Sequence, residues 1–139
     1  MKTIRMHTGF TLIEVLVSIV IVSFGLLGVA GLLSTGLKST QGSLQRTQAS
    51  LLAYDMADRM RMNRAAARNG EYVTDTETTN AVAISDKEAW DEAVASSLPS
   101  GAGTVTMPAT NIYSITVQWD DSKVAGGSAT QSFVLRGEL

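Results

Sequence analysis

Between Phe10 and Leu33 the chain reads FTLIEVLVSIVIVSFGLLGVAGLL, an apolar run interrupted by a single charge at Glu14. At about 1.5 Å per residue, a helix of that length covers the roughly 30 Å of a bilayer's hydrocarbon core. The first constraint on the fold is therefore a spanning helix. Lys2 and Arg5 precede the run and no acid does, so the positive-inside tendency puts Met1 on the cytoplasmic side and the bulk of the chain across the membrane. In a bacterial cell that is the periplasm. Neither the length of the run nor the position of small residues suits an ordinary cleaved secretory signal, and the apolar helix is expected to be retained.

The 139 residues leave room for one modest domain beyond this helix. Apolar residues make up 45% of the chain, but they are concentrated in the run, so the remainder is polar and its core small. Net charge is -2, with no basic block beyond the arginines between residues 59 and 68, which argues against nucleic acid as the main partner. There is no cysteine; disulfide frameworks, thiolate nucleophiles and Cys-based zinc sites are excluded, and the redox compartment stays open.

Glu14 is the anomaly in the run. A carboxylate at the centre of a spanning helix costs about 2.5 to 3.5 kcal/mol, and less near an end. It either snorkels to the interface or finds a cation. If the chain were cut between Gly9 and Phe10, the new α-amine would lie about one helical turn from Glu14, and the carboxylate would sit near the positive end of the helix dipole. The amine of a neighbouring subunit would serve equally well.

The string GFTLIEVLVSIVIV, with Gly9, Phe10, Thr11, Leu12 and Glu14 in this order behind a short basic leader, resembles the type III signal of type IV prepilins and pseudopilins. The resemblance implies cleavage after Gly9 by an inner-membrane prepilin peptidase and N-methylation of Phe10. It also implies that Glu14 neutralises a neighbour's N-terminus during assembly. It brings a pilin-like α+β fold, with a long N-terminal helical spine against a small antiparallel sheet.

Leu33, Leu37, Leu44, Leu51 and Leu52, followed by Met56, Ala57 and Met60, continue at helical spacing past the run. With Asn69-Gly70 as C-terminal cap, the helix is expected from Phe10 to Arg68 and would be about 90 Å long. Gly25, Gly28, Gly31, Gly36 and Gly42 weaken it and permit close helix approach. Major pilins that resemble this chain carry proline where Gly31 stands, so any unwinding here would come from glycine.

The next stretch, AYDMADRMRMNRAAARNGEY, places Asp55 with Arg59 and Asp58 with Arg61 at pairing distance along a helix surface. Arg59, Arg61, Arg64 and Arg68 also suit the negative end of the helix dipole. A solvated helix end accounts for all of them; a partner surface of Asp55, Arg59, Arg61 and Arg64 is the alternative. The RMRMNR run behind a prepilin signal resembles PilV-like minor pilins, the type IV pilus modification proteins.

Beyond a polar stretch from Glu71 to Asn80, Ser85 and Glu88 have the spacing of a capping box. It would open a short helix that packs by Trp90, Ala93 and Val94 and ends before Pro99. Thr104 to Met107 is read as a short strand. Asn111 to Trp119 alternates, with Tyr113, Ile115, Val117 and Trp119 on one face, and Thr130 to Arg136 forms a strand built on Phe133 and Leu135. An antiparallel sheet covering the upper half of the long helix follows, because about 70 residues without disulfides bury too little apolar surface alone. Asp120 and Asp121 fall in a turn expected to be solvated, since a calcium loop needs six to eight oxygen ligands.

The expected organisation is a leader over residues 1–9, a membrane and assembly segment over 10–33, the periplasmic half of the helix over 34–69, and a head over 70–139. His7, the single histidine, lies in the leader, and no arrangement of nucleophile and base stands out. Neither enzyme chemistry, a metal nor a cofactor is expected. The leading function is a minor pilin that initiates or tips a type IV pilus, with prepilin peptidase, other minor pilins, the major pilin and the inner membrane as partners. A minor pseudopilin of a type II secretion system shares the signal and the helix. A DNA- or surface-binding tip module using Arg59 to Arg68, and a plain single-span anchored protein, are the readings from other classes.

Overall fold

The computed structural model of the protein describes residues 9–124 and 126–139. The leader residues Lys2, Arg5 and His7 lie outside them. Helix α1 runs from Leu12 to Met62. Thr11 starts it: its carbonyl accepts from the amides of Glu14 and Val15, and its Oγ1 accepts from the Glu14 amide at 3.3 Å. The chain divides into two compact units, the first ending at Leu37 and the second running from Lys38 to Leu139. In the first unit α1 is long and apolar enough to cross a membrane, and none of that stretch is buried.

In the second unit α1 contributes one wall of the core. Ala49, Ala53, Met56, Ala57 and Met60 are its buried face. This corrects the expected leucine stripe: Leu44 and Leu51 are 56% and 63% exposed, and of the two leucines at 51 and 52 only Leu52 packs against the core.

The helix also stops earlier than its periodicity suggests. Asn63 leaves helical geometry at φ -111° and ψ 50°, and its Nδ2 donates to the Tyr72 hydroxyl and to Asn80 Oδ1 at 3.2 and 3.1 Å. Helix α2, Arg64–Arg68, follows at once. It ends as expected at Asn69-Gly70: Gly70 takes φ +81°, its amide bonds to the Ala67 carbonyl, and the Glu71 amide bonds to that of Ala66. That is the Schellman pattern, for which glycine alone has no steric penalty.

Helix α3 spans Ala81–Ser97. Its N-cap is Asn80, whose side chain accepts from the Ala83 amide at 3.0 Å. The Ser85 and Glu88 capping box is thus overturned, both residues lying inside the helix. Asn80 wins because it is held in place twice, by Asn63 and by the Glu71 carboxylate, which accepts from the amides of Thr79 and Asn80. Trp90 and Val94 are buried, and the Trp90 indole donates across to the Leu52 carbonyl of α1 at 2.8 Å.

Three antiparallel strands complete the unit: β1 Ala102–Ala109, β2 Ile112–Trp119 and β3 Gln131–Glu138, in the order β1-β2-β3. Val105, Ile115 and Leu135 stand in register across the sheet, as do Gly103, Val117 and Phe133. Tyr113, Ile115, Val117 and Trp119 are all buried, the face that their alternation predicts. They join the α1 alanines and methionines, Trp90 and Tyr72 in one hydrophobic cluster. The fold is α+β and pilin-like, a long N-terminal helix packed against a three-stranded antiparallel sheet.

Candidate assembly site

Gly9 and Phe10 precede the helix and are exposed, Phe10 by 82%. A Cβ built on Gly9 meets nothing within 4 Å, and its φ lies outside the left-handed range. The fold therefore places no demand for glycine at position 9. Glu14 lies in the first turn of α1, where backbone amides with no helical partner leave partial positive charge. It is the one charged residue between Phe10 and Leu37. Its carboxylate is exposed and has no hydrogen bond or ion pair among the described residues. Ser18 and Ser23 donate their hydroxyls to the carbonyls of Glu14 and Ile19, one turn back, so neither presents an unsatisfied donor to lipid.

The arginines of α1 and α2, Arg59, Arg61, Arg64 and Arg68, are placed differently. Arg59 pairs with Asp55 at 3.0 Å and with Asp86 of α3 at 3.1 Å. The bond to Asp55 and the charges of both carboxylates raise its pKa further. Tyr72 donates to Asp86 at 2.6 Å; burial first, then that bond, pushes the phenol up to about 12. Arg61 pairs with Asp58 at 2.8 Å and donates to the Tyr113 hydroxyl at 2.9 Å, and Arg68 reaches the Leu139 carbonyl at 3.5 Å. Arg64 is exposed and has no such contact among the described residues. The expected pairs Asp55–Arg59 and Asp58–Arg61 thus form, but Arg59 and Arg61 also fasten α1 to α3 and β2. Their partners there, Asp86 and Tyr113, lie in segments with no local signal for the pairing.

The expectation for the loop after β2 is corrected in part. Asp120 is solvated and accepts from the Ser122 amide; the Ser122 hydroxyl first, and then that amide, hold its pKa below the usual carboxylate value. Asp121 is buried, with its Oδ1 close to the α1 backbone at Gly42. The burial follows from the turn itself: the Asp121 amide and carbonyl bond to Ser128 and Val124 and fold the loop over the side chain.

An exposed apolar helix with one unpaired carboxylate in its first turn leads into a helix-backed antiparallel sheet, an arrangement suited to membrane anchoring. Residues 4–30 match the family model for the prokaryotic N-terminal methylation motif, and residues 31–97 match the model described as type IV pilin Tt1218. The chain is a type IV pilin-like protein, a pilin structural subunit. No curated protein and no solved structure matches it. The methylation motif implies processing by a prepilin peptidase and assembly with other pilins in the membrane, and type IV pilins are structural and non-enzymatic.

Proposed function

We propose that the protein is a minor pilin that contributes to the initiation or the tip of a type IV pilus. In this reading prepilin peptidase cuts between Gly9 and Phe10, Phe10 becomes the N-methylated terminus, and the apolar part of α1 holds the subunit in the inner membrane with its head in the periplasm. The subunit then enters a fibre alongside other minor pilins and the major pilin. The observation that carries it is the unpaired carboxylate of Glu14 in the first turn of an exposed apolar helix. In hydrocarbon such a group calls for a cation, and the α-amine freed at Phe10, on the same chain or a neighbour, is the cation that this processing would create.

Support for a minor pilin comes from the RMRMNR run and its resemblance to the type IV pilus modification proteins. A minor pseudopilin of a type II secretion system accommodates the same signal and helix, and is the second reading. A DNA-binding tip is disfavoured, because Arg59, Arg61 and Arg68 are engaged within the chain and leave Arg64 alone to meet a phosphate backbone.

The test replaces Glu14 by Ala or Gln in a strain producing the cognate fibre and scores the protein in sheared filaments against membranes. The proposal expects a processed, membrane-retained chain whose incorporation falls at least ten-fold. Incorporation equal to wild type removes the assigned role of Glu14. Loss of secretion with intact pili, on deletion of the protein, transfers it to the secretion system.

A further inference from the structure

The Gly9–Phe10 bond and the first residue of α1 are separated by one residue, Thr11. We propose that Thr11 is a positioning residue for processing: it fixes where the helix begins and so keeps the Gly9–Phe10 bond outside the helix and available to the peptidase. This rests on the reading of that bond as the processing site.

The cut is a hydrolysis in which water adds across the peptide bond, leaving a carboxylate on Gly9 and a free amine on Phe10. A peptidase needs the backbone of its substrate extended through the active site, with carbonyl and amide groups free to be bound. A peptide bond within a helix offers neither, since its groups are turned into the helical ladder and its side chains spiral away. The start of the helix therefore decides whether this bond can be cut.

Thr11 supplies that start. Its carbonyl accepts the first helical amides, those of Glu14 and Val15, while its hydroxyl accepts from the Glu14 amide. Gly9 and Phe10 remain outside helical geometry. With Glu14 three residues on, the sequence Thr-Leu-Ile-Glu also has the form of a capping box.

The sequence indicates which way the boundary moves if the cap is lost. Downstream, the next residue of capping type is Ser18, and a start there would unwind Leu12 to Val17 and leave their amides unsatisfied in hydrocarbon. Upstream, the next is Thr8, and a start there would draw Gly9 and Phe10 into the first turn. The boundary moves upstream, over the bond to be cut.

The experiment uses the full-length chain in detergent micelles with purified prepilin peptidase, following the initial rate of N-terminal loss by mass spectrometry. Thr11→Val keeps the shape and removes the acceptor; Thr11→Ser and Thr11→Asn keep an acceptor. The expected result is a roughly three- to ten-fold slower cut for Thr11→Val, the range set by a lost cap, with Thr11→Ser and Thr11→Asn within about two-fold of wild type. Carbon-13 shifts at Gly9 and Phe10 move toward helical values in Thr11→Val alone. Wild-type rate and wild-type shifts in Thr11→Val overturn the proposal, as does equal slowing in all three variants, which would mean that the peptidase reads the threonine itself. A wild-type chain left uncut at Gly9–Phe10 removes the processing reading, and this proposal with it.

Discussion

At the residue scale, the features that hold the head together are polar groups whose partners are far away in sequence. Asn63 joins Tyr72 and Asn80, Tyr72 joins Asp86, and Arg59 ties Asp86 back to Asp55. Because the Tyr72 phenol is pushed up to about 12 in the folded head, the unfolded chain loses its proton first as pH rises. Between about pH 10 and about pH 12 the unfolded state therefore binds fewer protons than the folded one, and stability falls across that window. Denaturant midpoints of the head should drop between those pH values in wild type. In Tyr72→Phe that part of the drop should be absent, with lower stability at neutral pH from the lost bond to Asp86. An unchanged pH profile in Tyr72→Phe would place the alkaline transition elsewhere.

One half of this network is legible in the sequence and the other is not, for a definite reason. The Asp55–Arg59 and Asp58–Arg61 pairs follow from helical spacing alone, whereas Asp86 and Tyr113 meet the arginines only once α3 and β2 have docked. A similar limit explains the capping box. Ser85 and Glu88 have the required spacing, but Asn80 is pinned by Asn63 and Glu71, two contacts that no local pattern contains.

At the element scale, the alternation of Tyr113, Ile115, Val117 and Trp119 is legible because a strand with one buried face must alternate. The buried stripe of α1 is harder to read. Leucines at positions 44 and 51 are more apolar than the alanines at 49, 53 and 57, so hydropathy alone selects the wrong face. The stripe that faces the core is instead alanine and methionine, Ala49, Ala53, Met56, Ala57 and Met60.

Packing is tight where α3 meets β1. A Cβ on Gly103 would fall inside van der Waals contact with Cζ3 and Cη2 of Trp90, and that ring is buried and fixed by its bond to the Leu52 carbonyl. Gly103→Ala should therefore destabilise the head by about 1 to 3 kcal/mol, the usual cost of overpacking. Chemical denaturation of the head checks this, and stability within about 0.5 kcal/mol of wild type would show that the indole can move aside.

On the scale of the whole molecule, two requirements meet in one continuous helix. Its first part must be apolar and exposed to serve lipid and neighbouring helices, and its second part must bury a narrow stripe beneath a head too small to form a core alone. The apolar run made the first part readable from the residues, and the pilin-like architecture was implied by the resemblance of GFTLIEVLVSIVIV to prepilin signals. The head's packing was less readable, since the break at Asn63 serves contacts with Tyr72 and Asn80.

Leu44 and Leu51 remain exposed on the head portion of α1. Replacing both by Ser should leave the unfolding free energy of the head within about 0.5 kcal/mol of wild type, as expected for surface positions. A large loss of stability would return them to the core.

A processed pilin subunit carries a new N-terminus, and that terminus can be read by mass. Intact-mass and N-terminal fragment spectra of the chain, co-expressed with its prepilin peptidase, should show a protein that begins at N-methylated Phe10. A chain that retains Met1, or one cut at another bond, would contradict the account.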